Sequence, residues 1–361
     1  MSETQHIQRV TAASREVLTD VALENGAIIA ANTDKPYYPR EADDERYVWP
    51  RIGAFVCAAA DVLGLAIQEP FFRWLDEKPE DFRKERLLYV HYATNGRLGP
   101  DGHRFAPDQM GTVLWALSRH FRGDADRAKP FTDLIHRLAD GLAAAWNAHA
   151  FVPNTVDVWD DPTRQTSSRV ANTFTYSLAA CARGLELADH LFPTPSWRST
   201  AQAMRQHIDA SFDRASGVFL RTAGRVADRT MDASLLGLLW PFEMVEPTDE
   251  RFRMTVQRLE ERLVFNGGIH RFEFDYTDHE GTAAEGGGAW PVLNFWLSIV
   301  LHRLGERERA LAYYHSVLER VDTYLPEQLF EDFRVGVYPF AWSHALFILA
   351  SHEFGLLENA A

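Results

Sequence analysis

Cysteine is nearly missing from this chain: its 361 residues include two, Cys57 and Cys181. Each lies in an apolar, helix-patterned stretch and reads as a small buried side chain. With no paired cysteines and no His-Glu-x-x-His, a zinc site is not expected. Positive charge is also scarce. Lys and Arg number 37 against 51 Asp and Glu, a formal net charge of −14, with a pI near 5.5. That balance argues against nucleic acid as a partner, because phosphate binding needs clustered cations, and it disfavours anionic membrane surfaces. No apolar run approaches the roughly 18 residues of a membrane span. The opening Met1-Ser2-Glu3-Thr4-Gln5-His6 has neither the basic nor the apolar region of a secretory signal, so a cytoplasmic protein is the expectation. No Gly-x-Ser-x-Gly elbow, P-loop or dinucleotide fingerprint occurs, and the run Gly286-Gly287-Gly288 is a weak phosphate signal.

What the chain does contain is helical periodicity and aromatic side chains. Ten Trp, 11 Tyr and 23 Phe supply either core or flat platforms for ligands such as sugar rings. The length exceeds the usual single hydrophobic core, so two domains are the default unless the chain closes into a barrel. Apolar positions recur at helical spacing over Glu3–Glu24, Gly53–Leu65, Pro70–Leu75, Gln109–Phe121, Arg127–Ala148 and Ala171–His190. They continue over Ser196–Phe212, Asp232–Trp240, Thr248–Leu263, Trp290–Leu304, Glu306–Thr323 and Ala341–Phe354, with a small hairpin expected around Ser216-Gly217.

Twelve helices joined by alternately long and short connectors place every long connector at one end of an up-down arrangement. Six such pairs closing on themselves make an all-α (α/α)6 barrel, a single domain over residues 1–361, with six long loops around one mouth. Loops gathered on one face of a rigid scaffold are where function is expected.

The polar and aromatic residues of those loops are the candidates: Trp49, Arg51, Asp108, Trp159, Asp160, Asp161, Asp232, Arg271, Asp275, Trp290, Glu327 and Gln328. Each has a plainer role open to it. Asp108 suits a helix first turn, Asp160-Asp161 before Pro162 a turn, Arg271 a pairing with Asp275, and Trp290 the core. Pro326 cannot continue the preceding helix, so Glu327 sits on a turn where its carboxylate can face a cavity. His344 opens a helix with no obvious partner. Carboxylates, aromatics and one or two arginines around a mouth are the equipment of glycoside hydrolysis.

Five stretches, in order, resemble the catalytic domain of glycoside hydrolase family 15, the glucoamylase, glucodextranase and isomaltose glucohydrolase group. They are Tyr47-Val48-Trp49-Pro50-Arg51, Asp108-Gln109-Met110-Gly111, Val158-Trp159-Asp160-Asp161, Gly267-Gly268-Ile269-His270-Arg271 with Gly288-Ala289-Trp290, and Leu325-Pro326-Glu327-Gln328 with Ala341-Trp342-Ser343-His344-Ala345. The resemblance implies an (α/α)6 barrel, inversion at the anomeric carbon, Asp160 as general acid and Glu327 as general base. It also implies no metal or organic cofactor. Trp49, Arg51, Asp108, Trp159, Asp161, Arg271, Trp290 and Gln328 are then expected around the sugar. Two departures stand out. The family's Asp after the motif arginine is Ile52 here, so recognition at that point either differs or is supplied elsewhere, Asp43 and Asp44 being the candidates, and the acid is Asp160 where the family has Glu.

The expectation is an exo-acting α-glucosidase of short α-linked sugars, with a small carbohydrate as partner and a monomer or small homo-oligomer as assembly. Two alternatives stay open: a sugar-binding protein without catalysis, and an α/α-barrel enzyme acting on uronic acids through Arg221, Arg225 and Arg229.

Overall fold

Three helices that line one ring open on proline at their first position, where the missing N–H costs nothing and the fixed φ suits a helix. They are α2 (Pro50–Leu63), α5 (Pro107–His120) and α11 (Pro291–Arg303), and all three belong to the inner wall. The structure is a computed structural model. It describes the chain except residues 1, 41, 43, 101, 162–163, 167–168, 226–227, 277–287, 331–335 and 358–361. Asp43 and Gly286-Gly287, singled out above, lie outside the described residues.

The remaining elements follow in order. Helix α1 (Glu3–Asp20) begins with a Ser2/Gln5 capping box. Then come α3 (Gln68–Glu77), the four-residue α4 (Phe82–Glu85) and α6 (Ala125–Ala128), and α7 (Thr132–Ala145). They are followed by α8 (Thr175–Leu191), α9 (Pro195–Ala210), a 3-10 segment (Ala233–Leu238), α10 (Glu250–Leu263), α12 (Arg307–Leu318) and α13 (Ala341–Glu353). Short two-stranded ladders decorate the loops, including the expected hairpin, in which Phe212-Asp213 pairs with Val218-Phe219.

The inner wall closes: α2 packs on α5, α5 on α8, α8 on the 3-10 segment, that segment on α11, α11 on α13, and α13 back on α2. Helices α1, α3, α7, α9, α10 and α12 form the outer layer, each packed on inner elements. This is the (α/α)6 barrel, and its long loops all precede inner elements, so the six inner N-termini point at one mouth. No helix among the described residues is long and apolar enough to cross a membrane.

Two expected helices differ: Arg127–Ala148 is divided into α6 and α7 by a 3-10 turn (Lys129–Phe131) that carries Pro130, and Asp232–Trp240 is not an α-helix. Within Asp232–Trp240, Ala233–Leu238 form a 3-10 segment. Six residues followed closely by Pro241 are too few to propagate an α-helix, and short connecting pieces favour the tighter winding.

Inner helices pack closely where glycine allows it. A Cβ on Gly111 would lie 2.3 Å from the Ala180 carbonyl, and one on Gly184 would lie 2.7 Å from the Gly111 carbonyl. Gly111 in the Asp-x-x-Gly stretch is therefore a contact surface between α5 and α8, which any side chain would push apart. The axis is filled by rings: Phe55 lies within 6.1 Å, centroid to centroid, of Trp115, Trp240, Trp296 and Trp342. Such aromatic packing contributes beyond its buried area. It also forms a floor under the mouth.

Candidate active site

Trp159 is the hub of the mouth. Its indole N–H donates to Asp232 Oδ1 at 3.0 Å, and its ring lies 6.4 Å from Trp290 and 6.5 Å from Trp342. Those three partners sit at the starts of three different inner elements: Asp232 caps the 3-10 segment, Trp290 precedes α11, and Trp342 is in the first turn of α13. A fourth inner helix reaches the same loop, because Arg51 of α2 donates to the Val158 carbonyl at 2.6 Å.

The loop carrying Trp159 is shaped by Asp157. Its Oδ1 accepts from the N–H groups of Trp159 (3.1 Å) and Asp161 (3.3 Å), an Asx-type turn. Asp160 stands at the crest with φ 58°, a left-handed conformation that Asp tolerates better than most residues. Its Oδ2 accepts from Arg104 at 2.7 Å, and both side chains are largely enclosed. A guanidinium this close stabilises the ionised carboxylate, whereas a general acid must arrive protonated. Enclosure beside Trp159 is therefore opposed by Arg104, a residue that no pattern in the sequence marks.

Beneath the loop lie three buried carboxyl groups. Asp108 is held by Arg51 at 2.7 Å, and burial raises its pKa against the pull of that guanidinium. Burial, and then the neighbouring Asp232, push Asp157 well above the usual carboxylate range. Asp232 is raised by burial although Arg221, Ser234 and Trp159 favour its charge. Arg164 donates to Asp232 at 3.0 Å and lies 3.5 Å over the Phe272 ring. Asp157, Arg104 and Arg164 are the main site residues absent from the sequence-based candidates. The alternation of Val156-Asp157-Val158, with apolar neighbours on both sides, is the one available hint of an inward carboxyl.

The base segment is mounted on backbone hydrogen bonds. The Leu325 carbonyl accepts from Phe340 N–H, the Pro326 carbonyl from Ser343 Oγ (2.7 Å), and Glu327 N–H donates to Val337. Leu329 pairs with Ala289, next to Trp290. Glu327 and Gln328 are half-buried there. Arg271 makes a bidentate pair with Asp275 (2.7 and 2.9 Å), and its guanidinium lies 4.7 Å over the Trp290 ring. Trp49 is half-buried with its ring 4.6 Å from His91, and Asp161 is buried under the crest.

Thus Arg51, Asp108, Trp159, Arg271 and Trp290 are joined by direct contacts or through one shared partner, with Asp160 and Glu327 on adjoining segments. Ile52, at the position of the family Asp, is buried in α2. Asp44 is exposed and accepts from Arg46 N–H. Of the arginines of the uronic-acid alternative, Arg221 pairs with Asp228 and Arg229 with Asp213, while Arg225 is exposed. A cavity of about 460 Å³ among α1 and the ends of α2 and α13 lies at the opposite face, and no carboxylate among the described residues lines it.

Comparison with known proteins finds similarity to several carbohydrate-active enzymes. An uncharacterized glycosyl hydrolase of Methanocaldococcus jannaschii is 24% identical over 98% of this chain and 57% of its own length. Isomaltose glucohydrolase of Kribbella flavida is 24% identical over 95% of both chains. The chain is thus similar in sequence to curated glycoside hydrolases. Trehalase 1 of Sulfolobus acidocaldarius is 29% identical over 91% of this chain and 60% of its own. The chain spans little more than half the length of some of these relatives and nearly all of another. No protein-family profile matches it. A glycosidase solved in complex with glucose superposes with a TM-score of 0.79 at 22% identity, covering 99% of this chain and 100% of that one. Glucoamylase from Saccharomycopsis fibuligera gives 0.73 at 13% identity, covering 99% and 96%. These likenesses establish the barrel.

Proposed function

We propose that the protein is an inverting, exo-acting α-glucosidase of short α-linked gluco-oligosaccharides such as isomaltose or malto-oligosaccharides, working in the cytoplasm as a monomer or small homo-oligomer. The observation that carries this reading is the Trp159 hub. It ties the residue before Asp160 to Trp290, whose neighbour Ala289 pairs with the segment of Glu327.

In this reading Asp160 gives its proton to the glycosidic oxygen as the bond to the anomeric carbon breaks. Glu327, ionised, takes a proton from a water that attacks the same carbon from the opposite face. The product is β-glucose. Trp49, Trp159 and Trp290 form apolar walls, Arg271, oriented by Asp275, faces the sugar hydroxyls, and Asp161 and Gln328 flank the two acids. Arg51 and Asp108 are the floor that fixes the acid loop.

Product NMR during hydrolysis of isomaltose, maltose and trehalose tests this. β-Glucose is expected first from isomaltose. Release of α-glucose first, or no turnover of any of the three, counts against it.

Arg104 provides a second test. Arg104→Met removes the ion pair that holds the Asp160 carboxylate. The value of kcat/KM on isomaltose is expected to change by about tenfold. Hydrolysis of α-glucosyl fluoride, whose leaving group needs no proton, is expected to change less. Equal changes for both substrates would remove Arg104 from the reaction.

A further inference from the structure

We propose that His344 is a positioning residue for the general base, a neutral strut that fixes the turn bearing Glu327 to the outer helix α1; this rests on the glucosidase reading. The imidazole is fully buried and lies between two partners: its Nε2 is 3.0 Å from Leu325 N and its Nδ1 is 2.8 Å from Ser14 Oγ. A backbone N–H can only donate, so Nε2 is the acceptor and the ring proton sits on Nδ1. Ser14 Oγ accepts that proton, and its own hydroxyl proton goes to the Val10 carbonyl at 2.7 Å. Every donor and acceptor in the chain Leu325–His344–Ser14–Val10 has one consistent direction.

Burial holds the imidazole neutral, its pKa lowered to about 3. The tautomer is therefore constant through the pH range of catalysis, and the group is suited to holding and not to proton transfer. Its target is specific. Leu325 is two residues from Glu327, and residues 325–329 are also bonded to Val337 and Phe340 ahead of α13, to the Ser343 side chain within it and to Ala289. Through Ser14, His344 adds a link to α1, so the base turn is fixed against α1 and α13 together. Misplacing a catalytic group by about 1 Å can cost on the order of a hundredfold in rate, which is what such a double anchorage prevents.

The experiment compares full-length wild type, His344→Phe, His344→Gln and Ser14→Ala, by hydrogen exchange over residues 325–330 and by isomaltose kinetics. His344→Phe is expected to speed exchange in that segment by roughly tenfold. It should lower kcat by about tenfold or more with KM within about twofold. Ser14→Ala should move both in the same direction by less. Gln, which can donate and accept, should restore part of each.

In a Glu327→Gln background the His344→Phe loss in kcat should disappear, because there is no base left to misplace. Unchanged exchange over 325–330, or a kcat loss that persists undiminished in that background, overturns the proposal. Should His344→Phe fail to fold, Ser14→Ala carries the same comparison. A wild type inactive on every α-glucoside would sink the glucosidase reading alone, and the exchange measurement would still decide whether His344 holds the turn.

Discussion

Replacing Glu327 by Gln is expected to lower kcat on isomaltose by about three orders of magnitude while leaving KM close to that of wild type. General-base catalysis contributes typically about 10²–10⁴ in rate, and Gln keeps the size of Glu while losing the ability to take a proton from water. The variant should fold normally. The turn is held by backbone groups of Leu325, Pro326 and Glu327 and by the Ser343 and His344 side chains, none of which the substitution alters. A thermal midpoint within about 2 °C of wild type would establish that. The sugar-binding alternative gives a different result, because a protein without catalysis binds sugar equally well with Gln at 327. A loss in kcat smaller than about tenfold would remove Glu327 from the role of base.

The ring is legible in the sequence because its signal is repeated. Alternating long and short connectors appear six times, so errors of a few residues at any one boundary leave the topology intact. Two of those errors share a cause. Periodicity alone starts two inner helices at Gly53 and Gln109, yet they begin at Pro50 and Pro107. Proline usually closes a connector, but at the first helical position it loses no hydrogen bond. Between Trp49 and Gly53 this hides the fact that Arg51 is already helical, buried and pointing inward.

The site is legible residue by residue where motifs carry it and illegible where partners come from afar. Arg104 meets Asp160 from 56 positions away, Ser14 meets His344 from 330, and Arg164 meets Asp232 from 68. No local pattern encodes such pairings, since each depends on the ring bringing separate loops together. The plainer roles open to the candidates do not exclude functional ones. Arg271 does pair with Asp275, and the pair orients the guanidinium over Trp290. Asp108 does sit in a helix first turn, and from there it holds Arg51.

The Arg51–Asp108 pair should show the largest effect on stability. Arg51→Met is expected to cost about 3–5 kcal/mol near neutral pH, because breaking a buried ion pair leaves its other member charged and unpaired. Both side chains are almost wholly enclosed, at 4% and 0% exposure, so water cannot take the place of the lost partner. Among the described residues no donor reaches Asp108 Oδ1, which leaves Oδ2 and Arg51 as the main support of the charge.

The sign of the pH dependence follows. Burial already raises Asp108 above its ordinary value, and the Arg51 guanidinium does most to lower it. Without Arg51 the folded-state pKa rises further above the unfolded value of 3.8. The folded protein then binds a proton that the unfolded chain has released, so stability is lost as pH rises through that window and regained on acidification. Urea melts should therefore show a smaller gap between Arg51→Met and wild type at pH 5 than at pH 7. The double variant Arg51→Met/Asp108→Leu, which removes both charges, should recover much of the loss at pH 7. A gap below about 1 kcal/mol at pH 7, or one that widens on acidification, would mean that the floor of the mouth is held by its aromatic packing and not by this pair.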